Sequence, residues 1–243
     1  MHNKVLLNHK VKSVSAQHTL ANIALLDGLP IEVIEELNKQ CRWKWYDTNE
    51  QIIDRQAEST DVFFIVDGRV RIVIYTVGGK EITLDDFTEG KQFGEMAAID
   101  GLPRSASVMA IQKSLLAAMP QSRFIALLTG HSIVAERVLK NMANIIRISN
   151  ERIMDLSTLG AANRVHAEIL RQARDNMTDE DEAFISPIPI HSEIGSRISS
   201  TRETVARVMN DLARKGFVER KKDGLIVRNI DELSQMVEDV RGD

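Results

Sequence analysis

Within residues 189–228, the stretch Ile194-Gly195-Ser196-Arg197-Ile198-Ser199-Ser200-Thr201-Arg202-Glu203-Thr204-Val205-Ala206-Arg207 decides the reading of this chain. Its apolar spacing predicts a short helix over 192–198 with Ile194 and Ile198 turned inward, a turn at Ser199-Ser200, and a second helix over 202–215. Thr201 is placed to cap the second helix and Gly216 to end it. Val205, Val208, Met209 and Leu212 form the buried side of that helix. Arg202, Glu203 and Arg207 fall on another side, at about 0°, 100° and 140° around the axis, so one groove receives all three. An arginine fork matches the O6 and N7 acceptors of guanine, and a glutamate accepts from the cytosine amino group. Thr201 and Thr204 are placed to meet phosphates. Residues 217–220 and 225–228 flank Lys222-Asp223-Gly224 and read as a β-hairpin wing with cations for backbone contact. Charged helix faces are common on any soluble protein. The capped turn, the two-helix spacing and the basic wing together indicate a reader of double-stranded DNA.

The charge is distributed to suit that reading. The chain of 243 residues carries a net charge of −4, which by itself argues against nucleic acid. Between residues 188 and 228, however, nine basic and five acidic side chains give +4, so the remainder carries −8. A basic module on an acidic body places one face on DNA. One cysteine, Cys41, excludes an intrachain disulfide framework and a cysteine-based zinc or iron–sulfur site; it reads as a packed thiol. The six histidines are scattered without metal-ligand spacing, so no metal is expected. No signal peptide or membrane-length apolar run is present, and the expected compartment is the cytoplasm.

Outward from the DNA-reading segment, the pattern changes twice. From residue 43 to about 118 it is strand-like, with Val62-Phe63-Phe64-Ile65-Val66 and Val70-Arg71-Ile72-Val73-Ile74-Tyr75 joined by Asp67-Gly68, a hairpin signal. A second turn at Val77-Gly78-Gly79-Lys80 and further strands over 81–84 and 107–110 suggest a β-barrel or roll. From 121 to about 159 the period is helical. Leu139, Met142, Ile146, Ser149, Ile153 and Leu156 alternate at spacings of three and four. Such a seam serves either a helix packed on its own domain or a parallel helix pair, and its length favours a homodimer. Ser149 is its polar member, and a buried hydroxyl left without a partner costs about 1–3 kcal/mol. Gly160 breaks the helix, residues 163–174 start a second domain, and the acidic run 178–182 reads as a solvated loop.

A second motif lies in the β-rich part. Phe93-Gly94-Glu95-Met96-Ala97 is followed by Pro103-Arg104-Ser105-Ala106. Gly94 allows close backbone approach, the next residues open a short helix whose free N–H groups attract an anion, and Arg104 grips phosphate as a fork. Glu95 is an acceptor fit for a ribose hydroxyl. These residues suit a sugar–phosphate, and they equally suit a surface Glu–Arg ion pair; their types alone do not separate the two.

The segment from Phe93 to Ala110 resembles the phosphate-binding cassette of cyclic-nucleotide-binding domains, and that from Ile194 to Arg207 resembles the helix-turn-helix of the cyclic AMP receptor protein (catabolite activator) and fumarate-nitrate regulator family. The resemblance covers about residues 22–228 and implies an α+β fold: an N-terminal extension (1–20), a cyclic-nucleotide-binding, jelly-roll-like β-roll (21–130), a long dimerisation helix (131–159) and a winged helix-turn-helix domain (160–243). It implies that Glu95 binds the ribose 2′-hydroxyl and that Arg104 and Ser105, helped by backbone at Gly94 and Met96, bind the cyclic phosphate. Ser149 falls where the family offers a hydroxyl to the purine, and Asn150 where it reaches the ligand of the partner subunit. Arg202, Glu203 and Arg207 would read an inverted repeat resembling TGTGA-N6-TCACA, with RNA polymerase as a further partner. The implied effector is cyclic AMP. Ser149 and Asn150 depart from the family's usual threonine and serine, and with Ser105 they could also serve a guanine edge, so cyclic GMP is the alternative, followed by another effector or none. An iron–sulfur sensor lacks its cysteines and a haem sensor its Cys/His pair in the roll. An enzyme is not expected, because no nucleophile–base pair, metal cluster or glycine-rich lysine loop is seen. A kinase-type regulatory subunit would leave the winged module unexplained.

Overall fold

The computed structural model describes residues 18–79 and 81–241; the first seventeen residues of the expected N-terminal extension and Lys80 of the expected turn lie outside them. After α1 (Ile31–Gln40), entered from Pro30, eight strands follow: β1 (Arg42–Tyr46), β2 (Gln51–Ile53), β3 (Val62–Asp67), β4 (Arg69–Tyr75), β5 (Glu81–Thr88), β6 (Gln92–Phe93), β7 (Ser107–Ala110) and β8 (Ser114–Met119), with α2 (Glu95–Asp100) between β6 and β7. They form two four-stranded antiparallel sheets, ordered β1-β8-β3-β6 and β2-β7-β4-β5. Apolar side chains of both sheets, among them Ile53, Phe63, Ile65, Val70, Phe93, Val108 and Leu116, fill the space between them.

One expectation is overturned here. The strands flanking Asp67-Gly68 are not a hairpin: β3 pairs with β6 and β8, and β4 with β5 and β7. Gly68 instead carries the chain from one sheet to the other at φ +103°. A Cβ there would stand 2.6 Å from Ser114 Cα, so the residue must be glycine both for its torsion and for this close approach. The Ser114 hydroxyl accepts from the Arg69 N–H (3.1 Å), which replaces the ladder bond a hairpin would have made. The true hairpin is β4–β5, with Tyr75 opposite Glu81.

The helical region splits at His131 (φ −135°, ψ 95°) into α3 (Gln121–Gly130) and α4 (Ser132–Thr158). Val134 and Val138 anchor the first turns of α4 on the roll, and Asp155 near its other end is buried against the C-terminal module. Gly160 and Leu159 then separate α4 from α5 (Ala161–Arg174). The module continues with β9 (Met177–Asp179), β10 (Glu182–Ile185), α6 (His191–Arg197), α7 (Arg202–Arg214), β11 (Val218–Arg220), β12 (Leu225–Arg228) and α8 (Ile230–Arg241). The acidic run expected as a loop is therefore solvent-exposed, as expected, but its ends pair as strands β9 and β10. The wing is a four-stranded sheet, β11-β12-β10-β9, because β12 also pairs with β10. Its core joins Val165, Ile169, Ile194, Ile198, Val205, Val208, Leu212 and Val227. Neither α1 nor α8 was expected from the periodicity.

Candidate nucleotide and DNA-binding sites

Gly94 adopts φ +86° at the start of α2, and a Cβ there would lie 2.6 Å from the Arg104 guanidinium and 3.0 Å from the Asp61 carbonyl. Arg104 is buried; its Nη1 donates to the Gly94 carbonyl (2.8 Å), Nη2 to the Asp61 carbonyl (2.7 Å) and Nε to the Ser59 hydroxyl (3.1 Å). A guanidinium has five N–H donors, so two remain for a ligand. Glu95 is buried as well, and its Oε2 has no hydrogen-bond partner among the described residues. Burial raises the Glu95 carboxyl above its ordinary range, against the lowering pull of its own N–H and of Arg104. The alternative reading, a Glu95–Arg104 surface ion pair, is not found among the described residues. Both groups instead line one cavity of about 200 Å³.

The cavity lies between the roll and α4. The structure brings Gly94, Glu95, Met96, Arg104, Ser105 and Ser149 to its wall; Asn150, exposed on α4, is not among the lining residues. Leu84, Asp85 and Phe87 of β5 and Ile145, Ile148 and Arg152 of α4 line the same cavity. Asp85 and Arg152 were missed in the sequence. Arg152 follows Ser149 by three positions, one helical neighbour away, which is the signal that could have found it. Its Nη1 donates to the Leu84 carbonyl (2.5 Å) while its Nε is buried without a partner among the described residues. Asp85 makes no ion pair among the described residues, and burial raises its carboxyl above the usual range.

The seam residues face two ways. Leu139, Ile146, Ile153 and Leu156 are 69, 60, 63 and 49% exposed, an apolar stripe bare in a single chain. Met142 packs instead on the core of the roll, beside Val134 and Val138.

In the C-terminal module Thr201 Oγ1 accepts from the Thr204 N–H (3.2 Å), capping α7. Val205, Val208, Met209 and Leu212 are buried; Arg202, Glu203 and Arg207 are exposed and take part in no ion pair among the described residues. Glu203 is held below the ordinary carboxylate range by its own N–H and by Thr201, so it stays ionised. In the wing Lys221 and Arg228 are paired with Glu219, which leaves Arg220 and Lys222 without ion pairs among the described residues.

Two family models match in the same order as these sites: the Cyclic nucleotide-binding domain over residues 43–131 and the Crp-like helix-turn-helix domain over residues 163–236. The chain belongs to the Crp/Fnr family of transcription regulators. Over 194 residues it is 27% identical to the Cyclic AMP receptor protein of Thermus thermophilus, covering 80% of this chain and 87% of that one. It is 25% identical over 197 residues to the cAMP-activated global transcriptional regulator CRP of Salmonella typhimurium, covering 80% of this chain and 93% of the relative. Among solved structures, a mutant of CooA from Carboxydothermus hydrogenoformans superposes with a TM-score of 0.71 over 82% of this chain and 88% of that one, at 19% identity, a likeness of fold. This Crp/Fnr member thus combines a cyclic-nucleotide-binding β-roll, a long helix and a DNA-binding helix-turn-helix. No helix among its described residues is long and apolar enough to cross a membrane.

Proposed function

We propose that the protein is a homodimeric regulator whose affinity for an inverted repeat resembling TGTGA-N6-TCACA is set by cyclic AMP held between the β-roll and α4. The observation that carries this reading is the buried, partnerless Glu95 Oε2 in the same cavity as Arg104 and Ser149. A buried acceptor left empty is costly, and a ribose 2′-hydroxyl is the donor it lacks. The two spare N–H groups of Arg104, the Ser105 hydroxyl and backbone at Gly94 and Met96 would meet the cyclic phosphate. Ser149 would meet the purine, and Asn150, on the exposed side of α4, would reach the nucleotide of the partner subunit.

The base would meet Asp85 and Arg152, which line the same cavity: the carboxylate would accept and the guanidinium would donate. The adenine edge offers an N6 amino donor beside the N7 acceptor, whereas guanine offers two acceptors there. A second reading, cyclic GMP, rests on the same carboxylate, which could accept from guanine N1–H and the N2 amino group. Dimerisation would cover the bare stripe of Leu139, Ile146, Ile153 and Leu156. Arg202, Glu203 and Arg207 would read base edges, and Thr201, Thr204 and the wing would hold phosphates. Binding without turnover, a cytoplasmic location and RNA polymerase as a partner belong to the same reading.

Calorimetric titration with cyclic AMP and cyclic GMP tests it. Cyclic AMP is expected to bind and Arg104→Leu to abolish binding; a wild-type protein that binds neither nucleotide would overturn the proposal. Tighter binding of cyclic GMP would select the second reading.

A further inference from the structure

The first helix of the DNA-reading pair is docked on the β-roll of its own chain. Ser196 Oγ donates to the Glu81 carbonyl (2.8 Å) and accepts from the Thr83 N–H (3.1 Å), with the Thr83 hydroxyl 3.2 Å away. Glu193 pairs with Arg71 (2.6 Å), and Arg197 with Asp86 (2.8 Å). Glu193, Ser196 and Arg197 are spaced i, i+3 and i+4, one face of α6, and every partner just named lies on the β4–β5 hairpin.

These are not loose surface pairs. The Asp86 side chain is 4% exposed and receives Arg69, Arg71 and Arg197 together. Burial alone would raise its carboxyl; the arginines hold it below the ordinary range. Arg197 also reaches Glu168 of α5 at 3.6 Å, and Glu168 and Asp155 share Arg171, so α4, α5 and α6 meet in one charged network.

β5 therefore has two clients. Leu84, Asp85 and Phe87 line the nucleotide cavity, and Arg152 of α4 fastens the Leu84 carbonyl. The neighbouring Glu81, Thr83 and Asp86 hold α6 or its arginine. A shift of β5 that follows the cavity moves both sets at once, because a paired strand shifts as a unit.

We propose that Glu193, Ser196 and Arg197 are positioning residues that carry the state of the nucleotide cavity, through β5, to the DNA-reading helix of the same subunit. This route lies within one chain and is separate from the helix seam between subunits. It rests on the cavity being the effector site.

The test is DNA affinity of the full-length protein with and without saturating cyclic AMP, for wild type, Ser196→Ala, Glu193→Gln and Ser196→Thr. The factor by which cyclic AMP changes DNA affinity is expected to fall at least about fivefold in Ser196→Ala and Glu193→Gln, and to be kept in Ser196→Thr, which retains the hydroxyl. None of the three residues lines the cavity, so cyclic AMP affinity without DNA stays at the wild-type value. By reciprocity, cyclic AMP affinity measured on the DNA complex moves by the same factor. Variants that keep the wild-type factor, or lose DNA affinity equally with and without nucleotide, would overturn the inference. A wild-type factor of one would overturn the reading of the cavity and this inference with it, whereas a gated wild type with equally gated variants overturns this inference alone. If Glu193→Gln melts early, Ser196→Ala, which removes a single hydroxyl, decides.

Discussion

Glu95 shows how binding and stability oppose each other in one side chain. Its folded-state carboxyl is raised by burial, so the folded protein holds this proton more tightly than the unfolded chain does. The associated stability is full below the ordinary glutamate range and is lost as pH rises through the raised folded value. Glu95→Gln is therefore expected to melt higher than wild type at neutral pH without nucleotide, with the gap closing as pH falls through the raised folded value and closed below about 4. The same variant should bind cyclic nucleotide more weakly. Calorimetric melting across pH, paired with titration, checks both, and a variant that melts no higher at neutral pH contradicts the burial account. Glu203 makes a prediction of the opposite kind. It is exposed and its bonds are confined to the start of α7, so Glu203→Ala should lower melting slightly at most and relax preference at one base pair per half-site by roughly 1–3 kcal/mol, read by binding-site selection. At this scale the sequence was informative where a site is contiguous. Gly94, Glu95, Arg104 and Ser105 lie within twelve residues, so their grouping was legible before any fold was known. Asp85 and Arg152 were not, because a strand and a distant helix bring them together only after folding. Cys41 needed no structure: burial pushes its thiol to about 12, which leaves it a protonated packing group, as its isolation in the sequence suggested.

Elements were readable where one periodicity ruled them and misread where the partner strand decided. α7 was legible in full, from its Thr201 cap to Gly216 (φ +83°), because cap, apolar face and stop are all local signals. The Asp67-Gly68 turn was not, because a glycine at positive φ fits both a hairpin and a crossing between sheets; Ser114, far along the chain, chooses between them. Gly68→Ala is expected to cost on the order of 1–3 kcal/mol, since it combines a left-handed torsion with a Cβ overlapping backbone. Denaturant unfolding would measure it, and a change below a few tenths of a kcal/mol would contradict the crossing geometry. α4 carries two jobs in its 27 residues, and Met142 marks the division. It belongs to the roll, while Leu139, Ile146, Ile153 and Leu156 form the bare stripe. Ile146→Glu combined with Ile153→Glu should convert the proposed dimer to monomer in light scattering with the roll intact; a persistent dimer would place the interface elsewhere.

The whole molecule is an acidic body carrying a basic reader, and that asymmetry has a measurable consequence. Phosphate contacts release counterions, so DNA affinity should fall steeply with salt. Removing one phosphate-facing cation of the wing, as in Lys222→Ala, should lower the log–log slope by about one and weaken binding evenly across sequences. The order of roll, long helix and winged module was legible, because each part has its own period and charge. Their docking was not. The Asp86–Arg197 and Arg71–Glu193 pairs join residues more than a hundred positions apart, and no local pattern encodes such a contact. On the proposed intrachain route, that docking would make the nucleotide cavity and the DNA reader one device, since a ligand moves an equilibrium only through its unequal affinity for two states. Gated DNA binding is the claim on which the rest depends. The most direct test is the dissociation constant for an inverted-repeat duplex at fixed salt, with and without saturating cyclic nucleotide. Tighter binding with nucleotide, lost in Arg104→Leu, is the result expected; equal affinity in both conditions would contradict it.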